Sequence, residues 1–185
     1  MTRRLLLDKS LELFDAKGYV ATTIDDIAAS AGTTRTTFYM HFPSKAHMMR
    51  SLVTEVNEIF TGADDPPLST VVESGDHRLI RDFLTRKADQ WPSIRSYILA
   101  TNQAAAVEPE IAADLEQWFE DAVTEMHKGL DAAGRFDPST RRVRCVLAFG
   151  QLEFLSRRWI QRGWYVERET SLQILGDSWC FLLTE

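Results

Sequence analysis

Thr34, Arg35, Thr36, Thr37, Tyr39 and His41 gather small hydroxyls, a guanidinium, a phenol and an imidazole into one short stretch. An arginine pairs bidentately with the edge of guanine, and a threonine offers both a hydroxyl and a methyl group that suits thymine. Tyr39 and Lys45 are of the type that contacts phosphate, as are the free backbone amides of a helix N-terminus. The interleaved Phe38 and Phe42 have a simpler use as core, and His41 fits either phosphate contact or packing at a helix end. Lys17 and Arg50 read as ordinary solvated charges. No comparable set points to catalysis. His41, His47, His77 and His127 fall on different predicted helices, and the sequence has no Gly-x-Ser-x-Gly, glycine-rich phosphate loop or His-Glu-x-x-His. Cys145 and Cys180 sit in apolar patterns without ligand spacing, which predicts buried thiols rather than a disulfide framework or a metal site. No enzyme activity, metal or cofactor is expected.

Helices must position these residues, because apolar periodicity is helical throughout and sustained strand alternation is missing. Glycines and prolines punctuate the pattern into about nine helices, over 2–17, 24–31, 35–41, 45–60, 76–90, 93–106, 109–132, 139–162 and 169–183. Residues 61–75, with Gly62, Pro66, Pro67 and Gly75, read as one linker-like loop. Gly18 stops the first helix, Thr22 or Thr23 caps the second, and Asp25 and Asp26 suit its dipole. Gly32 ends that helix, Thr33 or Thr34 caps the third, and Pro43 and Ser44 separate the third from the fourth. A short helix, a glycine-containing turn and a second short helix cross steeply, which frees the second to lie in a major groove.

The string from Thr22 to Lys45, TTIDDIAASAGTTRTTFYMHFPSK, resembles the DNA-binding signature of the TetR family. The points of resemblance are Thr-Ile-x-x-Ile-Ala, Ala31-Gly32, Thr37-Phe38-Tyr39 and His41-Phe42-Pro43-Ser44-Lys45, with LELFDAKGYVATT before them. The resemblance implies an all-α homodimer with a three-helix DNA-binding head and a larger C-terminal body that binds a small molecule. It divides the chain into a head over 1–45 and a body for ligand binding and dimerisation over 46–185. By matching positions, Thr33, Thr34, Arg35, Thr36 and Thr37 would lie at the groove, with Tyr39, His41 and Lys45 on the backbone and Thr23 beside them. The stub before the first helix departs from a long minor-groove arm, although Arg3 and Arg4 could reach phosphate.

Two further sets are expected in the body. The helix at 139–162 is apolar on more than one face, so it needs partners on both sides. Leu147, Gly150 and Phe154, with Leu172, Leu175, Gly176, Trp179 and Leu183 from the last helix, are the expected dimer interface, a two-fold four-helix bundle. Phe83, Trp91, Tyr97, Trp118, Phe119, Met126 and Phe149 suit an apolar or aromatic ligand, with Asn102, Gln103 or Glu153 as polar anchors. The same aromatics are also ordinary core, and Glu153 could equally pair with Arg157 one turn on.

Net charge is −6, but it is divided unevenly. Residues 1–50 hold seven basic against five acidic groups, and the remainder holds 14 against 22. A mildly basic head can thus approach phosphate while an acidic body does not. No apolar run reaches the length of a membrane span and no signal peptide opens the chain, so a cytoplasmic protein without a membrane partner is expected. The expected function is a repressor of a palindromic double-stranded DNA operator, released by a small-molecule effector. Alternatives are a small-molecule-binding helical protein, or an activator whose DNA affinity the ligand does not lower.

Overall fold

Caps and glycine stops set the ends of the first helices. In the computed structural model, which describes residues 1–62 and 64–184, α1 runs Thr2–Lys17, α2 Ile24–Ser30, α3 Arg35–His41 and α4 Lys45–Gly62. After them come α5 Leu68–Ser74, α6 His77–Ala105, α7 Pro109–Ala133, α8 Pro138–Arg162 and α9 Arg168–Leu183, with no strand among the described residues. No helix among these is long and apolar enough to cross a membrane.

Two elements differ from the sequence reading. The segment 61–75 contains α5, whose Val71 and Val72 are fully buried. Gly129 of α7 lets it approach closely, since a Cβ there would stand 2.4 Å from the Ser69 carbonyl oxygen. The helices expected over 76–90 and 93–106 are one helix, α6, with Pro92 inside it. Proline deletes one backbone hydrogen bond without forbidding continuation, and the flanking Trp91 and Ile94 are both buried, which offsets that loss.

Packing gathers the chain into two compact units, neither of them contiguous in sequence. The first comprises Met1–Gly62 and Ser93–Leu115, the second Ala63–Pro92 and Glu116–Glu185. Helices α6 and α7 therefore each contribute to both. The first unit is built on Leu6, Phe14, Tyr19, Ile27, Phe38, Phe42, Met48 and Met49, all nearly or fully buried. The second is built on aromatics. Trp91 lies against Trp159 and Trp164, Phe149 against Trp118 and Phe119, and Phe83 stacks on Trp179. Cys145 and Cys180 are buried and form no disulfide, and burial pushes the Cys145 thiol up to about 11.

Candidate nucleic-acid interface

The helix-turn-helix is assembled by caps. Thr23 Oγ1 accepts the Asp26 amide at 3.1 Å, while the Asp26 carboxylate accepts the Thr23 amide at 2.8 Å, a reciprocal capping box. Lys17 donates to that carboxylate at 2.6 Å, and this bond, with those from Thr23, holds it below the usual carboxylate range. Thr22 is instead buried, its hydroxyl donating to the Gly18 carbonyl at 2.7 Å. Gly32 ends α2 at φ 63°, and because a Cβ there would meet nothing within 4 Å, the backbone angle alone requires glycine. Thr34 caps α3, accepting the Thr37 amide at 3.2 Å. Ser44 caps α4 through the His47 amide at 2.9 Å.

With Phe38 turned inward, α3 presents Arg35, Thr36, Tyr39, Met40 and His41 to solvent. Thr34 is exposed at its start, and Thr33 and Thr37 are half-buried. Arg35 is held in place by two neighbours, Asp25 Oδ2 at 3.1 Å and the Tyr39 hydroxyl at 3.3 Å, and its guanidinium lies 5.6 Å from the Tyr39 ring centre. Such exposed contacts are individually weak. They orient the side chain without burying it.

Other cations prove to be engaged elsewhere. Lys45 does not turn outward: its ammonium donates to the carbonyls of Tyr19 at 2.8 Å and Thr22 at 2.9 Å and lies 4.2 Å from the Tyr19 ring centre. Those oxygens follow the end of α1, where carbonyls lack helical partners, so the lysine serves the fold before it can serve phosphate. Arg3 donates to Ser51, Arg4 to Glu55, and Arg50 binds Asp114 through two nitrogens at 2.6 and 2.9 Å. Lys17 and Arg50 are thus ion-paired rather than simply solvated.

Sequence reasoning missed Met40, which is 78% exposed, and the Asp25 partner of Arg35. It also missed the latch around Tyr19. The Tyr19 amide donates to Gln103 Oε1 at 2.7 Å, and its hydroxyl donates to Glu108 at 2.9 Å. Burial and that carboxylate raise the phenol above its ordinary value. Gln103 is therefore a tie to the end of α1, not a free anchor for a ligand.

Residues 6–52 match the family model described as bacterial regulatory proteins, tetR family. The HTH-type transcriptional repressor KstR of Rhodococcus jostii (strain RHA1) is 29% identical over 129 residues, covering 66% of this chain and 60% of that protein. The HTH-type transcriptional regulator TcmR of Streptomyces glaucescens is 37% identical over 62 residues, 34% of this chain and 27% of that protein. The matched stretches thus span less than two thirds of either relative's length. The crystal structure of NalD, the secondary repressor of the MexAB-OprM multidrug efflux pump in Pseudomonas aeruginosa, shares the fold. It superposes with a TM-score of 0.71 at 21% identity, over 98% of this chain and 96% of that one. Over residues 6–52 the chain is thus similar to the tetR family of bacterial regulatory proteins, and along its length it shares the fold of NalD.

The residues expected at a ligand fall into both units. Phe83, Trp91, Trp118, Phe119, Met126, Phe149 and Glu153 lie in the second, whereas Tyr97 and Asn102 lie in the first. Tyr97 donates to Glu55 at 3.0 Å beside Arg4, and Asn102 is exposed. Glu153 pairs with Arg157 one turn along α8. For the expected dimer face, Leu147 and Phe154 are exposed by 53% and 63%, and Gly150 faces open space on its Cβ side. The α9 set lies differently. Leu172, Leu175, Gly176, Trp179 and Leu183 are buried within the chain; Trp179 donates to the Ala148 carbonyl at 2.8 Å, and Gly176 accommodates Arg81. The large apolar residues that α9 exposes are Ile174 and Phe181.

Proposed function

We propose that this chain is a homodimeric repressor whose head, residues 1–45, reads a palindromic DNA operator, and whose body, residues 46–185, releases it on binding a small molecule. The observation that supports DNA reading is the outward face of α3. Arg35 and Tyr39 are braced against each other yet more than two fifths exposed, on a helix whose buried face is taken by Phe38. In this reading Arg35 pairs with a base edge, the hydroxyls and methyls of Thr33, Thr34, Thr36 and Thr37 flank it, and Met40 meets a thymine methyl. Tyr39, His41 and Thr23 take phosphate, while Lys45 acts indirectly, by fixing the start of α4.

The dimer reading is supported by Val143, Leu147 and Phe154 on α8 and Ile174 and Phe181 on α9, five apolar side chains that are each more than half exposed. A dimer that seats its two recognition helices about 34–36 Å apart spans one turn of DNA. The names of KstR and NalD as repressors favour repression over activation. The aromatic second unit suits a ligand with an aromatic or apolar body. Coupling has a route in the first unit, where Tyr19 is tied to Gln103 and Glu108, and Glu55 of α4 is shared by Arg4 and Tyr97. A ligand favouring another arrangement of α6 and α7 would then shift α1 and α4 and weaken DNA binding by its differential affinity.

Selection of bound sequences from a random duplex pool tests this reading. A palindrome bound by a dimer, with affinity falling steeply as salt rises, is expected. Recovery of no enriched sequence would sink it.

A further inference from the structure

Arg86 of α6 has its Nε and Nη2 atoms buried and without a hydrogen-bond partner among the described residues, although the residue as a whole keeps some exposure. Unmet donors of a charged group are costly to bury. Its neighbour Lys87 shows how the chain ordinarily answers that cost. Lys87 is 2% exposed and its ammonium lies 2.5 Å from the Asp64 carboxylate. Among the described residues, no carboxylate is hydrogen-bonded to the buried edge of Arg86. Arg135 also has a buried unmet Nε, but its Nη2 donates to the Val72 carbonyl, so its guanidinium is held by the fold.

Nε and Nη2 form one edge of the guanidinium, and that edge receives the two oxygens of a single carboxylate side by side. Arg50 demonstrates the geometry in this chain, with Nε at 2.6 Å and Nη2 at 2.9 Å from the two oxygens of Asp114. The setting of Arg86 is also unusual. Phe83, Arg86, Lys87, Gln90 and Trp91 recur at three- and four-residue spacing and so share one face of α6. That face is apolar at both ends, with Phe83 2% and Trp91 1% exposed.

We propose that Arg86 anchors the carboxylate of a small organic acid, with the ligand's aromatic or aliphatic body lying along the apolar part of this face. The proposal rests on the ligand-regulated reading above and adds to its aromatic or apolar ligand a single carboxylate, making it an amphiphilic monoanion. A single negative charge is preferred over a doubly charged phosphate, because Asp64 already answers Lys87 and one guanidinium remains.

The test is calorimetric titration of the full chain with benzoate, phenylacetate and octanoate, each beside its neutral amide, and with inorganic phosphate. At least one acid should bind at one per protomer, with its amide weaker by about tenfold or more. Arg86→Lys keeps the charge but loses the paired edge, so its affinity for that acid should fall by a similar factor. Arg86→Met should abolish acid binding without lowering the melting temperature of the ligand-free protein, because the buried donors need no partner once removed. Three outcomes would each overturn the proposal: no acid binds, an acid and its amide bind alike, or phosphate binds as well as the acids. A drop in melting temperature for Arg86→Met, with acid binding retained, would show a structural guanidinium and also overturn it. Operator binding by the ligand-free protein separates the two readings. DNA bound without any acid binding removes only the carboxylate site, and acid binding without DNA removes only the regulator.

Discussion

At the first position of α4, phosphate contact and fold maintenance compete for the same ammonium, and the geometry of Lys45 favours the fold. Its two carbonyl partners, at 2.8 and 2.9 Å, close the end of α1 and the loop after it. Lys45→Met should therefore lower stability by about 1–3 kcal/mol, measured by denaturant melting, as charge-assisted bonds to buried carbonyls are lost. The same variant should leave the slope of log K against log salt unchanged. A slope reduced by about one would mean that the lysine does contact phosphate. Arg35 is the opposite case, since its partners Asp25 and Tyr39 are exposed and give up little on release. Arg35→Ala should cost about 1–3 kcal/mol of operator affinity and relax preference at one base pair in each half-site. Binding assays on operators mutated one position at a time read both quantities. A uniform loss across all positions would assign Arg35 to the backbone instead.

At the scale of elements, α2 depends on its first turn, because only seven residues and one buried isoleucine-alanine pair hold it. Thr23→Ala should cost about 1 kcal/mol by opening the capping box. Asp26 ties that box to pH. Lys17 and Thr23 depress its folded value below the unfolded carboxylate near about 4, so its stabilisation is complete above that value and is lost as pH falls through the folded one. Asp26→Asn should flatten this part of the acid limb when chemical denaturation is followed from about pH 6 to about pH 2. Unaltered acid sensitivity would assign the limb to other carboxylates. The caps themselves were legible to within a residue because they are local: Thr22 or Thr23 before α2, Thr33 or Thr34 before α3, and Gly18 and Gly32 beyond the helices they end. The long single helix α6 was not, since Pro92 carries a local signal for a break while the burial of Trp91 and Ile94 that overrides it is tertiary. Helix α5 is too short to display a periodic face. The Tyr19 latch joins positions 84 and 89 residues apart, and no local pattern announces such a pairing.

For the whole molecule, the decisive quantity is what covers the outward faces of α8 and α9. Each helix spends one face on the chain's own core: Cys145, Ala148, Phe149 and Leu152 on α8, and Leu172, Leu175, Trp179 and Leu183 on α9. On the other face, Val143, Leu147 and Phe154 repeat at four and seven residues, and Ile174 and Phe181 stand seven apart. Scattered exposed apolar residues are ordinary, but aligned stripes on two adjacent-packing helices mark an interaction surface. A two-fold axis makes the same patch meet itself, so one substitution enters the interface twice. Leu147→Glu with Phe154→Glu should thus convert a dimer to a monomer of 21.1 kDa in sedimentation, with the helical signal of the monomer retained because both sites are already exposed. Trp179→Ala should behave differently. Its indole is fully buried and donates to the Ala148 carbonyl, so its loss should cost about 3–5 kcal/mol and unfold the second unit rather than dissociate it. The operator separates these effects again. A folded monomer can still place one α3 in one half-site, so it should bind an isolated half-site as the parent does while losing its advantage on the full palindrome. Equal binding of the full palindrome by the double variant and the parent would mean that the two heads are joined by some other surface.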